Sequence, residues 1–209
     1  MKKIKYKIKK SGFGRFIMSN FYSMLFRMKY IDRWALMRNL RKENLSEHTL
    51  EVAFIAHALC IIEKTKLKNA NINTEKIVLA ALFHDTSEVI TGDLPTPVKY
   101  FNSDIKTSYK NIEAVAEEKL LSLLPDYFTD EIKDVYNLTE EEEKTVKLAD
   151  KISALIKCTE EVSFGNYEFK EAKKSTEKSI KEFNSPAADI FIKEFLPAFS
   201  LSLDEQTKL

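Results

Sequence analysis

The stretch Ala81-Leu82-Phe83-His84-Asp85-Thr86-Ser87-Glu88 carries an apolar helical pattern into a run of polar side chains. The pattern is apolar on nearly all sides, which predicts a central, buried helix over Ile77–Val89. A histidine and an aspartate at the end of such a helix are costly unless they pair with a metal or with each other. Glu88 follows His84 by one turn and would lie over the same face. The stretch therefore predicts a buried helix ending in a divalent metal site; the alternative is an ordinary solvated helix end.

The composition of the whole chain favours one helical domain. At 209 residues, with 44% apolar and 31% charged residues and few glycines, the sequence is typical of an all-α globular protein with one core. The net charge of +1 gives no indication of a nucleic acid polymer or a membrane surface as partner. The sequence contains no run of 18 apolar residues, so no membrane-spanning helix is expected. Cys60 and Cys158 are interpreted as buried, reduced thiols of a cytoplasmic protein.

The first residues differ in character from the rest. Six of the first ten are lysines, so we expect residues 1–14 to form a flexible, solvated extension and the folded domain to span 15–209. No signal peptide is predicted, because arginines interrupt the Phe-rich stretch that follows and no small-residue cleavage site is present. Residues 15–30 are predicted to form a core-facing helix.

Capping residues locate the longer helices. Asn44 with Glu47 and Thr139 with Glu142 have the spacing of capping boxes, which predicts one helix from there to Ile62 and another to about Phe164. A further helix is expected to begin at a Ser103 or Asp104 cap and to reach Leu124, while 126–138 is interpreted mainly as loop. Two last helices are predicted over Glu168–Phe183 and Ala187–Phe195, and no strand is expected.

Three polar features could contribute to a site. Arg33-Trp34 could bind a phosphate and pack on a sugar or base, although a lone tryptophan is more often a packing anchor. The stiff, proline-rich loop Thr91–Pro97 could close over anything bound at His84 and Asp85. Asp150 lies at the edge of an apolar stripe, where an ion pair with Lys147 or Lys157 is the ordinary alternative. His57 lies about half a turn round the helix from His48, so the two cannot share a site, and we expect His57 to be a packed or surface residue.

Taken together, His48, the pair His84-Asp85 and Asp150 resemble the motif of the HD-domain superfamily of metal-dependent phosphohydrolases, which fold as helical bundles. The closer resemblance is to the bacterial 5′-deoxynucleotidases. It rests on several segments spread from about residue 20 to the C-terminus: Arg33-Trp34, Met37-Arg38, Glu43-Asn44, Ser46-Glu47-His48, His84–Glu88, Thr91–Asn102 and Leu201–Glu205. The run Thr91–Asn102 is the most specific of these segments, and the lysine-rich extension departs from the pattern.

The resemblance implies roles for these residues. It implies that His48, His84, Asp85 and Asp150 ligate one divalent transition metal, with cobalt or manganese favoured and iron or zinc as alternatives. It implies catalytic roles for Glu88, which would orient or deprotonate water or protonate the leaving oxygen, and for Arg33, which would hold the phosphate. The remaining substrate contacts are expected from Trp34, His48, Asp85, Asp93, Leu94, Pro95, Thr96 and Asp150. Asp93 is the expected reader of the sugar 2′ position.

These expectations define one hypothesis and two alternatives. The hypothesis is a cytoplasmic, homodimeric phosphatase that converts deoxyribonucleoside 5′-monophosphates to deoxynucleosides and phosphate. The first alternative is another HD-type enzyme acting on nucleoside triphosphates, guanosine tetraphosphate or cyclic dinucleotides, which would need more basic residues around the site. The second is a non-catalytic nucleotide-binding module, which the presence of all four ligands and Glu88 disfavours.

Overall fold

The computed structural model describes residues 18–99 and 101–208, and this part of the chain is helical. Its only β-type pairing there is an isolated bridge between Asp32 and Asn44. The predicted all-α class is thereby confirmed. The α-helices, numbered in chain order, are α1 Phe21–Leu25, α2 Leu45–Thr65, α3 Thr74–Phe83, α4 Glu88–Thr91, α5 Thr96–Lys99, α6 Ser103–Leu121, α7 Asp126–Tyr136, α8 Glu140–Ser163, α9 Lys170–Glu182, α10 Pro186–Glu194 and α11 Leu203–Gln206. Short 3₁₀ segments cover Phe26–Tyr30, Tyr167–Phe169 and Leu196–Ser200.

Helix α2 lies at the centre of the core. It packs against α3, α8 and α10, and buries one face that includes Val52, Leu59 and Cys60. By length and composition α2 also meets the criteria for a membrane span, with a mean hydropathy of 1.4, but 56% of its most apolar window is buried inside the protein. That burial is typical of the core helix of a soluble protein.

Helix α3 was predicted to be longer and more central than it is. It ends at Phe83, and Leu79 and Leu82 on its outer side remain 40% and 37% exposed. The Thr86 hydroxyl donates to the Phe83 carbonyl at 2.8 Å, and residues 84–87 form turns that separate α3 from the short α4. A threonine that binds the backbone in this way competes with helical hydrogen bonding. Glu88 therefore begins a new helix and does not continue the face of His84.

The capping predictions were partly right. Both predicted capping boxes are present, at Asn44 with Glu47 and at Thr139 with Glu142. The cap of α6 is Asn102, whose side chain accepts from the Ile105 amide at 2.8 Å, so the prediction of Ser103 or Asp104 was wrong. An asparagine side chain at the preceding position reaches the third helical amide equally well.

Two further segments differ from expectation. Residues 126–136 form the amphipathic helix α7, which buries Ile132 and Val135, where mainly loop with at most a short helix was predicted. Residues 15–30 were expected to form one long helix. In their described part, the five-residue helix α1 is followed directly by a 3₁₀ segment. Phe21 is fully buried there, in a small second core with Leu120 and Leu124. The predicted extension 1–14 lies outside the described residues.

Candidate metal centre

Three core helices bring the predicted ligands together. His48 lies in the first turn of α2, His84 and Asp85 follow the last turn of α3, and Asp150 lies midway along α8. His48, His84 and Asp150 each place one potential ligand atom at this point, and these three atoms lie within 4.8 Å of one another. The Asp85 Oδ2 atom lies 3.0 Å from Nε2 of His84 and 3.5 Å from Nε2 of His48. Four side chains far apart in the sequence thus converge on one point.

The structure also decides between the two interpretations of Asp150. Its Oδ1 atom lies 3.3 Å from the His48 Nε2 atom, and its other oxygen lies 3.5 Å from Lys151. Lys147 pairs with Glu143 and Lys157 pairs with Glu161, so neither of the predicted lysine partners reaches Asp150. Asp150 therefore belongs to the histidine cluster.

Hydrogen bonds behind the two imidazoles aim their Nε2 atoms at this point. Nδ1 of His84 donates to the Ala81 carbonyl at 2.7 Å. Nδ1 of His48 lies 3.2 Å from the Ser153 hydroxyl, which donates in turn to Glu51 at 3.3 Å. Such partners fix the ring orientation and tautomer of metal-ligating histidines.

The Nε2 atoms themselves support a cation between them. Both are buried and have no assigned hydrogen-bond partner within the described residues, and carboxylate oxygens lie 3.0 Å from one and 3.3 Å from the other. Two unpartnered imidazole nitrogens beside two carboxylates form a donor set that a divalent transition metal would satisfy. The residues present therefore fit the metal that the motif implies.

The charges at the centre are strongly coupled. Burial alone would lower the pKa of His84, but the carboxylate of Asp85 raises it to about 9. Burial would raise the pKa of Asp85 and Asp150, but the imidazoles hold both below the usual value, with Lys151 also acting on Asp150. A divalent cation and the His84 proton would compete for the same nitrogen, so metal affinity should rise with pH.

Arg33 lies beside these ligands, and its phosphate-binding role remains a prediction. Its Nε atom donates to Glu43 at 2.8 Å, and its Nη1 atom lies 3.6 Å from Asp85. The side chain is only 12% exposed, and its charge also acts on Asp150 and Asp93. A guanidinium held in place by Glu43 is suited to binding an anion next to the metal.

Two further acids approach the centre. Glu88 is 5% exposed, and its Oε2 atom has no hydrogen-bond partner among the described residues. Its burial, together with the charges of Asp85 and Asp93, raises the pKa of Glu88 to about 9. Asp93 is half-buried, which raises the pKa of its carboxyl group, and the charges of Arg33, Asp85 and His48 also act on it.

The other predicted substrate contacts are less tied to the centre. Leu94 and Pro95 are half-buried and Thr96 is exposed, and their roles remain predictions. Trp34 adopts a left-handed backbone conformation with φ 58°, and its ring packs against Phe169 with centroids 5.4 Å apart. Its indole Nε1 atom is buried and has no hydrogen-bond partner in the described part of the chain. Trp34 is thus a packing anchor that retains a free donor beside Arg33.

Sequence reasoning gave no role to several residues that shape the site. They are the residues behind the ligands: Glu43, Glu51, Ser153 and, through its hydrogen bond to Thr86, Tyr136. Ser153 carried one signal, since it is a polar residue one turn after Asp150 in an apolar stripe. His57 is exposed on the far side of α2, as predicted.

Comparisons with known proteins agree with this geometry. A family model described as "5′-deoxynucleotidase YfbR-like" matches residues 20–199. A 5′-deoxynucleotidase of Vibrio atlanticus is 50% identical over 190 residues, which cover 90% of this chain and 97% of that protein. One of Yersinia pestis (strain Pestoides F) is 52% identical over 191 residues, or 90% of this chain and 96% of that protein.

Solved structures share the fold. An HD-domain phosphohydrolase of Listeria innocua superposes with a TM-score of 0.75 at 24% identity, covering 91% of this chain and 93% of that one. An HD phosphohydrolase of cyanophage S-2L, bound to dA and one catalytic Zn²⁺ ion, superposes with a TM-score of 0.62 at 17% identity, covering 85% and 95%. At these identities the likeness concerns the fold, and it confirms the predicted HD-type helical bundle.

Proposed function

The chain belongs to the YfbR-like 5′-deoxynucleotidase family and is a phosphoric monoester hydrolase, and we propose that it hydrolyses deoxyribonucleoside 5′-monophosphates at the centre formed by His48, His84, Asp85 and Asp150. The observation that carries the location of the site is the pair of buried, unpartnered imidazole Nε2 atoms beside two carboxylates. A bound divalent ion would supply Lewis-acid polarisation of a phosphoryl oxygen and make water a better nucleophile near neutral pH.

Arg33 holds the phosphate in this proposal. Its Nε atom is engaged by Glu43 and its Nη1 atom lies 3.6 Å from Asp85, so in this proposal the Nη2 atom and the remaining N–H of Nη1 bind phosphoryl oxygens. Because Arg33 is nearly buried, its charge is weakly screened and stabilises the negative charge that develops on the phosphoryl group. Glu43 and Asp85 are its positioning partners.

Glu88 donates a proton to the leaving 5′-oxygen. Burial and the charges of Asp85 and Asp93 raise the pKa of Glu88 to about 9, which favours the protonated form of the side chain. A protonated, buried carboxyl group with a free oxygen is suited to act as a general acid and poorly suited to deprotonate water. Of the roles considered from the sequence, we therefore propose proton donation.

The remaining substrate contacts select the nucleoside. Trp34 follows Arg33 in the chain, and in this proposal its indole Nε1 atom, which is buried and has no hydrogen-bond partner within the described residues, and its ring contact the nucleotide. Asp93, on the loop after α4, lies next to the 2′ position of the sugar in this proposal. A carboxylate there would discriminate between a ribose, which carries a 2′-hydroxyl, and a deoxyribose, which does not. Leu94, Pro95 and Thr96 extend the same loop around the sugar and base.

We further propose that the chain is a homodimer joined through the outer face of α2. Leu50, Phe54 and Ile61 line this face with His57, at helical spacing, and Phe54 is 67% exposed. Glu47 lies at one end of the stripe and Lys64 at the other. Two antiparallel copies of α2 would cover the apolar residues and bring these opposite charges together, as an isologous contact requires.

The proposed metal is manganese or cobalt, and the proposed compartment is the cytoplasm. Two imidazoles and two carboxylates suit a transition metal better than magnesium. Cys60 and Cys158 are both buried and form no disulfide in the described structure, which is consistent with a reducing compartment.

One assay tests the reaction and the sugar preference together. Protein treated with a chelator and then loaded with manganese or cobalt should release phosphate from dAMP, and release from AMP should be far slower. Equal release from both nucleotides would preserve the phosphatase but remove the role of Asp93. Metal binding without any phosphate release would contradict the proposal and favour a triphosphate substrate or a non-catalytic nucleotide site.

A further inference from the structure

The loop that carries Asp93 is attached at both ends to one face of α6. We call residues 92–99 the Asp93 loop; it follows α4, which carries Glu88, and it ends with α5. Both α4 and α5 pack on α6. The side chains on α6 that meet the loop are Tyr109 and Glu113, which are one helical turn apart and therefore neighbours.

Tyr109 holds the start of the loop. Its buried hydroxyl donates to the Gly92 carbonyl at 3.3 Å and lies 3.3 Å from the Thr91 hydroxyl. Gly92 has φ 75°, in the region that favours glycine, and its amide donates to the Glu88 carbonyl at 2.8 Å. Tyr109 thus fixes the backbone at the point between Glu88 and Asp93.

Lys99 holds the end of the loop. Its ammonium group donates to Glu113 at 2.8 Å and lies 4.8 Å from the centre of the Tyr109 ring. The side chains of Lys99 and Glu113 are each roughly three-quarters buried, at 29% and 26% exposure, so this ion pair is screened less than a surface pair. The Lys99 charge also acts on Glu88 and Asp93.

We propose that Tyr109, Glu113 and Lys99 form a clamp that positions Asp93 and thereby sets the discrimination between deoxyribonucleotides and ribonucleotides. The proposal rests on the proposed function. None of the three residues needs to touch the substrate; each acts through the position of the loop. A displacement of about 1 Å in a contact of this kind can cost about a hundredfold, so loosening the loop should affect the sugar preference before it affects the phosphate chemistry.

The clamp can be opened with nearly isosteric changes. We expect Lys99→Met, Glu113→Gln and Tyr109→Phe each to reduce the ratio of kcat/KM for dAMP to that for AMP by about tenfold. The kcat for dAMP should stay within about threefold, because Arg33, Glu88 and the metal ligands are retained. The double variant Lys99→Met/Glu113→Gln should lose no more than either single variant, since both remove the same contact. Lys99→Arg should preserve the ratio.

A second readout needs no substrate. Hydrogen–deuterium exchange of peptides that cover 92–99 should be faster in each clamp variant than in the wild-type protein. Lys76→Met is the matched control, because Lys76 also makes a lysine–carboxylate pair, with Asp134 at 3.3 Å, between α3 and α7. It should leave both the exchange of 92–99 and the dAMP-to-AMP ratio unchanged.

Several outcomes would overturn the clamp. Unchanged exchange in the variants would show that these contacts do not hold the loop, and faster exchange with an unchanged ratio would show that the loop does not set selectivity. An equal loss of selectivity in Lys76→Met would point to general destabilisation. A wild-type chain that is inert toward dAMP would refute the proposed function, and the exchange data would then decide by themselves whether the clamp exists.

Discussion

Two buried polar clusters lie on helix α8, and they are satisfied to very different degrees. The first is the metal centre, to which α8 contributes Asp150. The second, which we call the anchor cluster, lies about two to three turns further along α8. It consists of Lys157, Glu161, Asn166 and the backbone of Leu40 and Arg41. Each oxygen of Glu161 accepts two hydrogen bonds: one takes Lys157 and the Arg41 amide, the other takes the Leu40 amide at 3.0 Å and Asn166 at 2.8 Å.

The difference distinguishes a cluster that can bind a ligand, the metal centre, from one that stabilises the fold, the anchor cluster. Both clusters also contact the segment 31–43. Arg33 lies 3.6 Å from Asp85 and Glu43 lies 3.6 Å from His48 in the metal centre, whereas Leu40 and Arg41 donate to Glu161 on α8 in the anchor cluster. The anchor cluster has no unmet hydrogen-bonding capacity at Glu161, so it stabilises the fold. The metal centre leaves two imidazole nitrogens and an oxygen of Glu88 without hydrogen bonds within the described residues, so these atoms are available to a ligand from outside the chain.

The largest effect expected from this contrast is the loss of the metal. His48→Ala should abolish binding of manganese or cobalt and lower phosphate release from dAMP by at least about a thousandfold, since both the Lewis acid and the imidazole are removed. A ligand that binds only the folded state raises its melting temperature. Added metal should therefore raise the Tm of the wild-type protein and leave that of His48→Ala unchanged.

His57→Ala is the matched control for this prediction. His57 lies on the same helix but on the outer face that we assign to the dimer contact, away from the metal centre, and His57→Ala should retain the metal-dependent rise in Tm and the activity. A metal-dependent shift that disappears in His57→Ala, or persists in His48→Ala, would contradict the location of the centre.

The anchor cluster should respond in the opposite way. Glu161→Gln should lower the free energy of unfolding by about 3 kcal/mol, because removing one partner of a buried ion pair leaves Lys157 uncompensated. Metal affinity should remain, because no ligand lies in this cluster. Urea denaturation of metal-free protein measures the first quantity and titration with manganese measures the second. Glu171→Gln, which removes an exposed pair with Lys174, should leave the urea midpoint unchanged.

The effect of Glu161→Gln should also depend on pH. Burial would raise the pKa of Glu161, but its four hydrogen bonds lower it from 4.5 to about 2 in the folded protein. Because the folded-state pKa is depressed, the stabilisation by this carboxylate is complete above the unfolded value and is lost as the pH falls toward about 2. The difference in unfolding free energy between wild type and variant should therefore be full at about pH 7 and much smaller at about pH 3. A difference that stays constant would exclude a charged Glu161 as its cause.

Sequence reasoning predicted the parts of the molecule that depend on local signals. The capping boxes at Asn44 and Thr139 concern residues three positions apart, and both are present. The ligands His48, His84, Asp85 and Asp150 came from a motif whose order along the chain is itself the signal. The break after Phe83 was not predicted, since it depends on the Thr86 hydroxyl, which contacts both the Phe83 carbonyl and Tyr136. A partner 50 positions away leaves no local pattern.

The residues behind the ligands were missed for the same reason. Ser153 contacts His48 from 105 positions away and Glu51 from 102 positions away, so neither contact has a periodicity to detect. Glu43 likewise acquires its place only when the chain brings it against Arg33 and His48. Ser153 belongs to the metal centre by contact, although its hydroxyl is as fully engaged as the groups of the anchor cluster.

The smallest predicted effect concerns Ser153, and it tests whether a fully hydrogen-bonded hydroxyl behind a metal ligand affects metal affinity or only the stability of the fold. Ser153→Ala removes the hydroxyl that lies 3.2 Å from the His48 Nδ1 atom, so the imidazole loses a partner that orients its Nε2 atom. We expect the affinity for manganese to fall by about tenfold, at the lower end of the range for residues behind metal ligands, because Glu43 remains 3.6 Å from the same nitrogen. Ser163→Ala on the same helix removes an exposed hydroxyl and should leave the affinity unchanged. The alternative outcome is that Ser153→Ala lowers the Tm of metal-free protein while the variant binds manganese normally. Ser153 would then stabilise the fold, as the anchor cluster does, and Asp150 alone on this part of α8 would act on the metal.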